Sequence, residues 1–257
     1  MRRRRAADRA DCRSLDVYHG YPSYLQINAN AHLYNPSQIT IGTGDVAFDL
    51  SFMGAVIGTA NIQNLVLVPG ENVVATAVHY MPEGSAQPVG QLLLENFVQR
   101  IVSTTTIIGT TDTTPIDSLK EALSTIRLVT DIPPLEQNLI PSARLELPTD
   151  VSTTGVGITY ATLVDPFTAS INVESLVATA VYPIGNLDIG VINQPNLNPP
   201  LSVSGHTQAV LPGLPLQLNI DPRALIRLIE ATANNQSVNL GPLTDQFSCV
   251  GRRARRS

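Results

Sequence analysis

The side chains that could do chemistry are few and scattered. His19, His32, His79 and His206 lie far apart in the chain, with no spacing that would bring two imidazoles to one metal ion. His32 and His79 fall on the outward positions of alternating stretches, where an imidazole faces solvent. Asp45 and Asp49 could be imagined as an acid–base pair, but Asp49 sits on the polar face of its stretch and Asp45 at its entry. A solvated face accounts for both better than a pocket that raises one pKa. There is no G-x-S-x-G, P-loop, H-E-x-x-H or dinucleotide fingerprint. Gly42-Thr43-Gly44 reads as a bulge or turn between strands. Cys12 and Cys249 lie near the two ends, so neither a disulfide framework nor a cysteine metal site is expected. These residues predict a non-catalytic protein with no catalytic residue, no cofactor and no metal.

One apolar constellation has the geometry of a binding surface. The stretch from Gly90 to Ser103 places Leu93, Leu94, Phe97, Val98 and Ile101 on one helical face. A helix of this kind either closes a core or lines an apolar groove between itself and a sheet. In the second case it would hold a lipid. Asn235-Gln236-Ser237 is an acceptable N-glycosylation sequon, so Asn235 is a candidate for modification.

Charge narrows the partners. The chain has 257 residues and a formal charge of -5. Arg2, Arg3, Arg4, Arg5, Arg9 and Arg13 crowd one end, and Arg252, Arg253, Arg255 and Arg256 the other. The body between Ser14 and Gly251 carries six basic and nineteen acidic residues, a net -13. Such a body repels phosphates, so no nucleic-acid partner is expected. No apolar run reaches the roughly 18 residues of a membrane span, and no apolar stretch follows the first arginines to make a signal peptide.

The elements that must position these residues are mostly strands. Leu25 to Tyr34 alternates strictly, with Leu25, Ile27, Ala29, Ala31 and Leu33 on one face. Asn35-Pro36-Ser37 ends it. Val46–Phe52, Ile62–Val68 and Val73–Met81 read as further strands, punctuated by Gly54, Gly58 and the Pro69-Gly70-Glu71-Asn72 turn. After the helical stretch, Thr104–Thr111 reads as a strand. Thr114 then caps a short helix with Pro115 at its first position and Asp117 as capping-box acid. Leu128–Ile132 is a closing strand.

A looser copy of this order follows. Ile158–Val164 alternates and ends at Asp165-Pro166. Ile184-Gly185 stands in for Ile57-Gly58, and Pro212-Gly213 for Pro69-Gly70. Leu214 to Ile220 alternates before a helix opened by Asp221-Pro222, with Leu225, Leu228 and Ile229 facing inward. The repeat predicts an internal duplication. It divides the chain into a disordered arginine-rich tail (1–14), a first sandwich (15–134), a linker (135–142), a second sandwich that is truncated at its C-terminal end (143–246), and an arginine-rich tail (247–257).

Five motifs carry a family resemblance. They are Leu33-Tyr34-Asn35-Pro36-Ser37, Gly44-Asp45-Val46-Ala47-Phe48, Ile57-Gly58-Thr59-Ala60, Leu65 to Asn72, and Thr114 to Leu119. In this order they resemble a fungal family of uncharacterised membrane proteins. Its repeats are similar to the late-embryogenesis-abundant type 2 (LEA-2) or WHy domain. The resemblance implies tandem antiparallel fibronectin-like β-sandwiches, each with one or two short helices. It also implies a place in the vacuolar membrane or lumen, or otherwise outside the cytoplasm, with attachment through a span that this chain lacks. The expected function is a structural or interaction module acting on a protein partner. The alternatives are a lipid-binding module with its groove at the Leu93–Ile101 helix, and a soluble stress-protective protein.

Overall fold

The computed structural model describes residues 9–182, 187–219, 238–240 and 244–246. The chain is mostly β and its sheets are largely antiparallel, as the alternation predicts. It divides into two units, 1–135 and 136–257.

The first unit contains β1 (Arg9–Gly20), β2 (Leu25–Asn35), β3 (Ile41–Phe52), β4 (Ala55–Leu67) and β5 (Gly70–Tyr80). Then come α1 (Gln87–Val98), β6 (Ser103–Ile108), α2 (Asp117–Ser124) and β7 (Arg127–Ile132). Pairing runs β1-β2-β5-β4-β3-β6-β7, and β7 returns to β1, so the sheet closes into a barrel. All of these pairs are antiparallel except β1 with β7.

Strand β1 corrects the expected tail. Residues 9–14 are not an unstructured end but the first half of a strand, and Cys12 lies opposite Ala31. The local sequence is rich in charge and has little apolar alternation. Its backbone is fixed instead by neighbours on both sides, β2 from Asp11 to Gly20 and β7 from Arg9 to Asp11.

Turns follow the sequence closely where a side chain builds them. The Asn35 carboxamide oxygen accepts the Ser37 N–H at 3.0 Å, and its nitrogen donates to the carbonyls of Ile39 and Leu67. Asn72 closes the Pro69-Gly70 turn by accepting from Val68 N–H and donating to the Val68 and Gly70 carbonyls, each at 2.9 Å. Gly42-Thr43-Gly44 is a bulge in the β3–β4 register.

Other elements start or stop where the sequence did not predict. α2 begins at Asp117 with Ile116 as its N-cap, and Pro115 is not its first residue. Thr114 instead accepts the Ile116 N–H in a turn before the helix. Gly58 is not punctuation. It lies inside β4, where a Cβ would come within 2.2 Å of the His79 carbonyl oxygen on β5. The segment expected as a linker is packed: Leu135 and Ile140 are buried, and Leu135 N–H donates to the Phe97 carbonyl within the first unit.

The second unit contains β8 (Ser142–Glu146), α3 (Val151–Thr154), β9 (Val156–Val164), β10 (Ile171–Val173), β11 (Leu176–Tyr182) and β12 (Leu187–Gln194). These are followed by β13 (Leu201–Val203), β14 (Gln208–Val210), β15 (Leu214–Leu218), β16 (Val238–Leu240) and β17 (Thr244–Gln246). Its main path is β16-β8-β9-β15-β12-β11-β17. Set beside the first unit, the order β8-β9-β15-β12-β11 matches β1-β2-β5-β4-β3, and β17 lies against β11 as β6 lies against β3, although β16 and β17 follow in the opposite chain order to β6 and β7. β16 lies against β8 as β7 lies against β1, but antiparallel. The small β10–β13 pair and β14 are additions.

The register carries the correspondence to single residues. Gly58 lies opposite Leu50 and Tyr80, and Gly190 lies opposite Ala180 and Leu218. Both glycines follow a fully buried isoleucine, Ile57 and Ile189. A Cβ on Gly190 would meet the Gln217 carbonyl oxygen at 2.3 Å, as one on Gly58 would meet that of His79. The partner of Ile57-Gly58 is therefore Ile189-Gly190. Ile184-Gly185, the pair expected from sequence, lies outside the described residues, as do the helix after Asp221, Asn235 and the segment 247–257. Asp165 repeats the Asn35 turn, with its carboxylate accepting the Phe167 N–H at 2.9 Å.

These two glycines predict matched effects. Gly58→Ala and Gly190→Ala each force two strands apart and are expected to lower stability by about 2 kcal/mol. Chemical denaturation of each variant measures this. An unchanged midpoint for either would refute the close approach there.

Candidate functional site

The interior of the first barrel is layered. Towards α1, Ile27, Leu50, Phe52, Ile57, Tyr80 and Leu93 form one buried cluster. Val46, Phe48, Ile62 and Leu65 form another, against Leu123 of α2 and Ile126 just beyond it. Between the two, the inward positions of β2, β4 and β5 are occupied by small side chains: Ala29 and Ala31 on β2, Ala60 on β4, and Thr76 on β5. Thr105 and Thr130 complete this layer from β6 and β7. Small residues cannot fill the width set by the strands, and a cavity of about 100 Å³ remains, partly open to solvent.

Helix α1 lies along this cavity. Leu93, Leu94 and Phe97 line it, as the helical periodicity predicts. Val98 and Ile101 do not, and this corrects the predicted groove. The helix stops at Val98, and Arg100 takes a left-handed conformation at φ 64. Ile101 N–H then donates to the Asn96 carbonyl and Arg100 N–H to that of Phe97, a Schellman ending built without glycine. Ile101 is turned outward and exposed. Glycine is the usual marker of this ending, so its absence hid the stop.

Tyr80 is the cavity residue that sequence reasoning missed. It ends β5, is 7% exposed, and lines the cavity. Among the described residues its hydroxyl has no hydrogen-bond partner. Gly90 of α1 makes room for it, since a Cβ there would lie 2.6 Å from the Tyr80 oxygen. Loss of solvent pushes the phenol pKa up to about 12. Among the described residues no charged side chain lines the cavity. The available sequence signal was an aromatic residue closing an alternating strand, which looks the same whether its hydroxyl is satisfied or not.

The histidines and acids are placed elsewhere. His19, Tyr21, Tyr24 and His79 stack in a chain of ring contacts with centroids 4.3–4.6 Å apart. His206 is exposed, with one ring nitrogen 3.3 Å from the Thr168 hydroxyl. Asp45 accepts the Asn64 N–H beside the β3–β4 bulge, and Asp49 lies opposite Thr59 and Ile108. Among the described residues no group of three or more His, Cys, Asp or Glu side chains could hold a metal ion. Among the same residues no helix is long and apolar enough to cross a membrane.

In the second unit two positions of the corresponding layer carry larger side chains. Ile192 stands where Ala60 stands, and Leu214 where Thr76 stands, both buried in one continuous cluster. The fold and site define a mostly β chain whose first unit is a closed barrel around an apolar cavity. No family model matches the chain. A search of curated proteins finds no similar sequence.

Tyr80 generates a pH prediction. Its folded pKa is raised, so between pH 10 and 12 the unfolded chain gives up a proton that the folded chain keeps. Stability contributed by this group is whole below pH 10 and is lost as pH rises through about 12. The loss is at most about 3 kcal/mol, and solvent at the cavity mouth screens part of it. In Tyr80→Phe this alkaline loss disappears, and stability at neutral pH is unchanged or higher by about 1 kcal/mol, because no hydrogen bond is removed. Denaturation curves at pH 8 and pH 11 for both proteins check it. A large destabilisation at neutral pH would show that the hydroxyl has a partner.

Proposed function

We propose that the first unit is a non-catalytic binding module for a small apolar ligand of lipid-like chemistry, held inside the barrel beneath α1. The cavity carries this reading. Its layer of alanines and threonines leaves space at positions where the second unit buries the larger Ile192 and Leu214. An unfilled space of this kind weakens a fold, so a guest that restores the lost contacts is bound favourably. At about 100 Å³ the cavity takes a small ring or a short hydrocarbon segment, with any remainder in the open mouth.

The second unit favours the structural reading. Its described core residues pack into one continuous cluster, and we propose for it a scaffold or interaction role. The strand order shared by the two units supports an internal duplication. Together with the mostly β architecture it supports the LEA-2/WHy resemblance, and through that resemblance a place in the vacuolar membrane or lumen or outside the cytoplasm.

Native mass spectrometry after exposure to lipid tests the binding reading. The wild-type protein is expected to retain ligand. A variant carrying Ala60→Ile and Thr76→Leu, which copies the second unit's filling, is expected to lose most of that retention while staying folded. Absence of any retained ligand on the wild type would sink the proposal, as would equal retention by the filled variant.

A further inference from the structure

We infer that one end of the first barrel docks on an anionic lipid bilayer, with apolar side chains of two turns entering the interface and the arginines ahead of β1 meeting the headgroups. The turns join β2 to β3 and β4 to β5. The pairing of Asn35 with Gly70 and of Ile41 with Leu67 brings them to the same end of the sheet. Tyr34, Ile39, Ile41, Val66, Val68 and Val73 are exposed there, Ile39 to 70% and Val73 to 64%. Glu71 is the one charged residue in 34–41 and 66–73. Single apolar side chains on a surface are ordinary, but a group of them on adjoining turns marks a contact site.

The backbone of these turns is prepared to leave water. Lipid offers no hydrogen bonds to an entering peptide group, so the protein must satisfy that group itself. The Asn35 carboxamide donates to the carbonyls of Ile39 and Leu67, and the Ser37 hydroxyl accepts the Ile39 N–H. Asn72 accepts the Val68 N–H and donates to the carbonyls of Val68 and Gly70. Ile39 and Val68 thus present apolar side chains on peptide groups that are already paired. A protein partner would not demand this, because it can supply polar groups of its own.

Charge selects the kind of lipid. β1 runs antiparallel to β2 with Asp11 opposite His32, so its start at Arg9 lies at the same end as the two turns. Arg2 to Arg5 precede it, and even a fully extended chain keeps them within about 25 Å of Arg9. Residues 1–14 hold six arginines against Asp8 and Asp11, while the body beyond them is strongly acidic. An anionic surface therefore attracts this end and repels the rest, which sets the orientation of docking. A shallow apolar insertion and a basic cluster are each weak alone and together hold a protein on a membrane.

Sedimentation of the whole chain with vesicles tests this, using phosphatidylcholine alone and equal parts phosphatidylcholine and phosphatidylserine. The wild type is expected to sediment with the mixed vesicles and only weakly with phosphatidylcholine. Ile39→Ser with Val68→Ser is expected to weaken binding about tenfold. Replacing Arg2 to Arg5 by alanine is expected to weaken it about a hundredfold and to remove the preference for phosphatidylserine. Met53→Ser, at an exposed apolar residue of the opposite end, is expected to change nothing, as is the Ala60→Ile and Thr76→Leu variant of the cavity. The chain has no tryptophan, so Ile39→Trp gives a single probe whose emission is expected to shift to the blue on mixed vesicles. No sedimentation with mixed vesicles would overturn the inference, as would equal binding to both lipids. Loss of binding in Met53→Ser or in the cavity variant would overturn it too. So would dimers that the Ile39→Ser and Val68→Ser variant dissolves in a chain that ignores vesicles, which would make this end a contact between copies.

Discussion

The first unit depends on the pairing of β1 with β7. Without it the sheet would have two free edges and an interior open along one side. With it, seven strands enclose a space whose width is set by backbone geometry rather than by the side chains inside. Large inward residues can fill such a space, and at both ends of this barrel they do. The middle layer is built of alanine and threonine, so the width fixed by closure becomes a cavity. A void of this size costs about 2.4 kcal/mol at the usual penalty per unit volume, a cost the large end clusters must offset.

The two units show how one strand order supports two outcomes. Both place an Asx-Pro turn after the long alternating strand, and both place an isoleucine and a glycine where two strands come closest. These positions fix backbone geometry and allow little choice of residue. The inward positions of the middle layer are free of that constraint. There, Ala60 and Thr76 in the first unit stand where the second unit buries the larger Ile192 and Leu214.

The chain itself already determined the alternating faces, the class of fold and the turns. Leu25 to Leu33 announces its buried face by period, and Asn35, Asn72 and Asp165 build turns from their own side chains. These are local effects, set by contacts a few residues apart. The apolar face of α1 was legible for the same reason, as far as Phe97. Only the tertiary structure decided the rest. β1 begins as early as Arg9 because its neighbour β2 and the distant β7 hold it, although its first residues signal a tail. Gly58 is required by a carbonyl on a neighbouring strand, and α1 ends at an arginine in a conformation usually left to glycine. The small residues became a cavity, and Tyr80 a buried hydroxyl without a partner among the described residues, only when closure set how far apart the walls stand. That distance belongs to the closed sheet and to no stretch of sequence.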